Sequence, residues 1–161
     1  MTRIERLIDQ LERSFRGEPW YGSSVLGVLD GITAETAAAR PVRGAHSIWE
    51  LVLHMTGWKR EVLARFRGVT AGEPEAGDWP ALPGRDGAAW RATLADLTAA
   101  HEELVAAIRA SSESALDGPV RDERNPTPGS GLARWQTLEG ILQHDVYHLG
   151  QIALLKRALT A

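Results

Sequence analysis

Apolar positions recur along most of the chain at the three- and four-residue spacing of amphipathic helices, with no convincing strand alternation between them. The first stripe is Ile4, Leu7, Ile8, Leu11 and Phe15. It stops at Gly17 and Pro19, and residues 17–22 read as a turn carrying Trp20 and Tyr21. Residues 25–32 predict a short helix and residues 37–39 a further helical turn, closed by Pro41 and Gly44. A second long helix starts at a capping box, Ser47 with Glu50 three residues on, each side chain able to satisfy the other's backbone N–H. Its stripe runs Ile48, Leu51, Val52, Met55, Val62 and Phe66 and closes at Gly68. A third helix presents Trp90, Leu94, Leu97, Leu104, Val105 and Ile108, and a fourth, over 132–159, presents Leu138, Ile141, Leu142, Leu149, Ile152 and Leu159.

Between these helices lie two Gly/Pro-rich connections, residues 68–86 and 117–131. Loops longer than about 12–15 residues are uncommon in compact domains and often border a site. Four long helices without a strand predict an all-α fold, a four-helix bundle with short extra helices after the first, and the whole chain, 1–161, as one domain. Composition agrees with that class. Ala and Leu total 42 residues against 16 Val and Ile, a balance that favours helix over strand.

Charge and cysteine content remove whole classes of function. A formal net charge of −3 and the lack of a basic run give no footprint for nucleic acid. With no cysteine, disulfides, thiolate nucleophiles and cysteine metal sites are excluded. No stretch approaches the roughly 18 apolar residues of a membrane span. The first fifteen residues are charged throughout and lack the apolar core of a signal peptide, so a soluble, cytoplasmic protein is expected.

The remaining chemistry lies in five histidines, at 46, 54, 101, 144 and 148. His144 and His148 are one turn apart on one helix face, where two neutral imidazoles can chelate a zinc, nickel, copper or iron ion. They flank the apolar stripe together with Gln151 and Leu155. Asp145 falls inside that stripe, where a carboxylate is costly unless paired. It is placed either to accept a ligand ring's second N–H, fixing the tautomer, or to pair with an arginine from another helix. The run from His144 to His148 also matches the zincin pattern with Asp for Glu. No His, Asp or Glu follows His148 to act as a further ligand, which makes a protease a poor reading. A third ligand must come from elsewhere, and His54, beside the stripe of the second helix and one turn before Trp58, is placed to supply it. His101, followed by Glu102 and Glu103, reads as part of a solvated face, and His46 as a loop or helix-start residue.

Taken together, His54-Met-Thr-Gly-Trp58 on the second helix and His144-Asp-Val-Tyr-His148-Leu-Gly-Gln151 on the last resemble the DinB/YfiT superfamily. The run from Gly44 to His54 and the terminal Gln151–Lys156 segment are similar to that family's helix starts and ends. The resemblance implies a four-helix bundle with a three-histidine site, His54, His144 and His148, for one divalent cation, nickel or zinc. It further implies a homodimer, a stress-response setting, and a metal-dependent hydrolase acting on a small molecule. Relatives of another kind are S-transferases of the low-molecular-weight thiols bacillithiol, mycothiol or glutathione, or isomerise maleylpyruvate with mycothiol.

Three histidines leave coordination positions open, as catalytic sites do. The pocket walls would then decide between hydrolysis and thiol transfer, with Trp58, Trp20, Tyr21, Tyr147 and Gln151 as candidates and Tyr147 as a proton donor. A non-catalytic bundle that binds a small molecule or partner is the competing class, and a bundle without metal is a third. A closed structural site would need a carboxylate such as Glu50, Glu61 or Asp145 as its fourth ligand.

Overall fold

The computed structural model describes residues 1–121 and 131–160, so residues 122–130 of the second expected connection lie outside the described residues. The chain is helical. In order it forms α1 (Arg3–Arg16), α2 (Val25–Leu29), α3 (Ala34–Ala38), α4 (Ile48–Phe66), α5 (Gly87–Arg109), α6 (Glu113–Leu116) and α7 (Arg134–Thr160). The four long helices pack in a ring: α4 lies between α5 and α7, and α1 closes the other side against the same two. No strand occurs among the described residues, where Pro119 and Ala133 form an isolated antiparallel bridge.

Local chemistry explains the boundaries. Ser47 Oγ accepts from the Glu50 N–H at 3.2 Å and Glu50 returns the bond to the Ser47 N–H at 2.7 Å, the expected box. Thr2 and Glu5 build the same device at the start of α1, a match that the hydrophobic stripe alone did not reveal. The short helix expected over 25–32 ends earlier, at Leu29, because Gly31 takes a left-handed φ of 72° and turns the chain into Thr33, the N-cap of α3. The Lys156 ammonium on α7 donates to the carbonyls of Val28 and Asp30, tying up the exposed end of α2. The four-residue α6 follows an N-cap at Ser112 and was not anticipated.

The apolar core divides into two clusters. One contains Phe15, Trp49, Val52, Met55, Leu97, Leu149 and Ile152. The other contains Leu11, Val62, Leu104, Ile108, Leu138 and Ile141. At the level between them each of α4, α5 and α7 contributes a polar side chain: Lys59, His101 and Asp145. Lys59 and Asp145 are 0% and 2% exposed and form a buried ion pair between α4 and α7. Burial pushes the Asp145 carboxyl above its ordinary range, and the Lys59 ammonium pulls it back. Among the described residues Asp145 therefore orients no imidazole and meets no arginine; its partner is Lys59, which lies inside the α4 stripe between Met55 and Val62.

His101 also departs from expectation. It is 0% exposed and stacks on Phe15 with ring centroids 3.9 Å apart. The acids at 102 and 103 do face solvent, but His101 lies four residues after Leu97 and three before Leu104, so helical periodicity places it inside. Burial, assisted by the Lys59 charge, pushes its pKa down from 6.5 to about 3.

Two outcomes follow from this polar layer. Lys59→Met strands a buried carboxylate and is expected to cost roughly 3–5 kcal/mol in urea denaturation, whereas Lys59→Met combined with Asp145→Leu recovers most of it. An equal loss in the double variant would contradict the pairing. For His101 the folded pKa is the depressed one, so its contribution is intact above pH 6.5 and is lost as pH falls toward 3. In that window, the unfolding free energy of His101→Phe from urea denaturation should decline with falling pH less steeply than that of wild type, by about 1.4 kcal/mol per pH unit for the one proton removed.

Candidate metal centre

Because α4 and α7 are neighbours, the flank of each apolar stripe turns toward the other. His54 on α4 meets His144 and His148 on α7, with one ring nitrogen from each lying within 4.8 Å of the others. The Nε2 atoms of His54 and His144 are 2.9 Å apart. Ligand nitrogens at tetrahedral angles around a zinc ion would sit roughly 3.3 Å apart, so small rotations of these rings suffice to admit a cation. His54 and His148 are buried and His144 is half-buried.

The outer ring nitrogens show how the inner ones are presented. His54 Nδ1–H donates to the Asp78 carbonyl at 2.8 Å, which leaves the lone pair on Nε2 facing the cluster. His148 Nδ1–H donates to Gln151 Oε1 at 2.8 Å, with the same consequence. The Asp78 carboxylate accepts from the Trp58 indole N–H at 2.7 Å and so holds the loop carbonyl against His54. His144 Nδ1 is buried without a hydrogen-bond partner. Burial and the neighbouring rings push the His144 pKa down to about 3, and burial lowers that of His148. His54 and His148 thus present Nε2 lone pairs, and the 2.9 Å contact places a proton on His144 Nε2, donated to His54, which a divalent cation would displace.

The structure sorts the other candidates. Gln151 and Trp58 stand where they support the cluster, one directly on His148 and the other through Asp78. Tyr147 is exposed, its ring edge-on to His148 with centroids 4.9 Å apart. Trp20 is fully exposed, and Tyr21 spends its hydroxyl on Ser14 Oγ at 2.8 Å; neither borders the histidines. The three carboxylates considered as a fourth ligand are engaged elsewhere. Glu50 holds Ser47 and Arg40, Glu61 holds Arg65 and the Gly72 N–H, and Asp145 holds Lys59.

Two residues had not been singled out, Asp78 and Trp79. Both lie in the long connection between α4 and α5. The Trp79 ring stacks on His54 at 4.0 Å and on His46 at 3.5 Å, covering one side of the cluster. The signal available for them was the length of that loop, which marked a region rather than residues.

A family model described as the DinB superfamily matches residues 22–152, a span that takes in all three clustered histidines. Neither a curated protein nor a solved structure matches the chain.

The hydrogen-bond pattern sets an expectation for nuclear magnetic resonance. Long-range proton–nitrogen spectra of the metal-free protein at pH 7 should show His54 and His148 as Nδ1-protonated tautomers. His144 should remain uncharged when the sample is taken to pH 5. An Nε2-protonated His54 would contradict the arrangement.

Proposed function

The chain belongs to the DinB superfamily, and from that premise we propose that it is a metal-dependent hydrolase of a small molecule, with His54, His144 and His148 holding one nickel or zinc ion. The observation that carries the proposal is the donor set. Three imidazoles converge while Glu50, Glu61 and Asp145, the carboxylates considered as a fourth ligand, are paired away, which leaves coordination room for a substrate. A structural site would fill its fourth position from the protein, and among the described residues no fourth ligand joins the cluster.

A divalent ion in such a site polarises a substrate carbonyl and acidifies water. The protein's share of the work is orientation. Asp78 and Gln151 fix two ring tautomers, Trp58 anchors Asp78, and Trp79 shields one side of His54 from water. In this reading Tyr147 supplies a hydroxyl beside His148 for the leaving group's proton. The same open coordination would accept a low-molecular-weight thiol, since a coordinating thiol ionises outright, and thiol transfer is accordingly the second reading.

Elemental analysis of protein purified without a metal-affinity tag tests the site. Wild type is expected to carry near-stoichiometric nickel or zinc. His54→Ala, His144→Ala and His148→Ala should lose it while keeping helical circular dichroism, because the apolar stripes do not include these rings. Absence of metal from wild type, even after incubation with nickel or zinc, would overturn the proposal.

A further inference from the structure

Beside the histidine cluster a cleft of about 410 Å³ opens to the surface, within the usual range for small-molecule sites. Val42, Leu51, Leu154 and Leu155 form its apolar walls, and Trp79, already stacked on His54, forms another side. His148 and Gln151 also line it, so the cleft and the cluster share a boundary. Val42 and Leu154 are 44% and 64% exposed, an unusual convergence of large apolar side chains on one opening.

The lining is as informative for what it lacks. Among the described residues it contains no lysine, arginine, aspartate or glutamate; its polar members are His46, His148, Gln151 and Tyr147. A carboxylate or phosphate seated in the outer part of the cleft, away from the histidines, would give up water without meeting a lysine or arginine, and an ammonium would meet no carboxylate. An aromatic ring or branched alkyl group has no such cost and gains contact with Trp79 and the leucines.

We infer that this cleft binds the uncharged, apolar part of the substrate, an aryl or branched alkyl group, and directs the attached reacting group toward His148 and its neighbours. The inference deepens the metal-site reading and rests on it. It separates this chain from enzymes whose non-reacting substrate portion is anionic, as glutathione's is.

Calorimetric titration of the nickel-loaded protein with three imidazole probes separates the two ideas. Imidazole alone reports open coordination; 1-benzylimidazole adds a neutral ring; 4-(imidazol-1-ylmethyl)benzoate adds the same ring with a carboxylate. Wild type is expected to bind 1-benzylimidazole about tenfold more tightly than imidazole. The carboxylate should erase most of that gain. Leu154→Asp, at an exposed position that leaves folding intact, should erase the benzyl gain while leaving imidazole affinity unchanged. Imidazole binding with a benzyl gain below about threefold would overturn the inference and leave the metal site standing. Failure to take up nickel would overturn both. If Leu154→Asp instead splits a dimer into monomers and leaves the benzyl gain intact, the cleft is a protein contact and the inference falls.

Discussion

The Lys59–Asp145 pair is the constraint on which the arrangement of α4 and α7 turns. Apolar clusters above and below it tolerate sliding, because one leucine contact resembles the next. An ion pair with both members almost fully buried does not, since any slip leaves one charge in apolar surroundings without a partner. Lys59 lies five residues after His54, and Asp145 sits between His144 and His148 in sequence. A one-residue change of register would rotate α7 by about 100° and carry both of its histidines off the shared face. The pair is thus a poor source of net stability and a direct source of register for the three imidazoles.

The histidine cluster carries its own cost. His144 Nδ1 and both ring nitrogens of His101 are buried without hydrogen-bond partners, which opposes folding. For His101 the compensation is visible as a parallel stack on Phe15. For the cluster it comes from the 68–86 loop, whose Asp78 carbonyl and Trp79 ring satisfy and cover His54. A loop of that length would be an entropic burden if it connected helices and nothing more. Here it supplies a side of the site.

Helix periodicity made most of the architecture legible in the sequence. The stripes of α1, α4, α5 and α7 and the Ser47–Glu50 box correspond to elements of the fold, and the DinB-like motifs correspond to the family match. The flank positions of His54, His144 and His148 were readable for the same reason, since a three-to-four-residue period fixes which side chains share a face. What failed was reading neighbours in sequence as neighbours in environment. His101 adjoins the exposed Glu102 and Glu103 in sequence, yet a helix turns by about 100° between adjacent residues and carries it inside. The position of Asp145 inside its stripe demands a partner, but fully buried lysines are rare and a stripe alone does not point to Lys59. Asp78 and Trp79 sit in irregular backbone, where no period relates sequence position to direction, so the loop could be suspected and its residues could not.

Charge distribution connects the register, the cluster and the cleft. Asp145 and Glu61 answer a cation or a backbone N–H away from the rings, and Glu50 is held by Ser47 and Arg40 at the start of α4. Asp78, the acid beside the cluster, sets Oδ1 2.7 Å from the Trp58 indole nitrogen and 3.2 Å from the outer nitrogen of His54, while its carbonyl accepts from that same nitrogen. Burial holds His144 and His148 uncharged, and the adjoining cleft contributes no fixed charge. In such surroundings a bound cation would be the dominant local charge, and its field would be weakly screened. An acid joining the three rings would offset that field and occupy the position a substrate needs. The fold's pairing of Glu50, Glu61 and Asp145 away from the rings would therefore leave the charge of a bound cation unopposed by those acids.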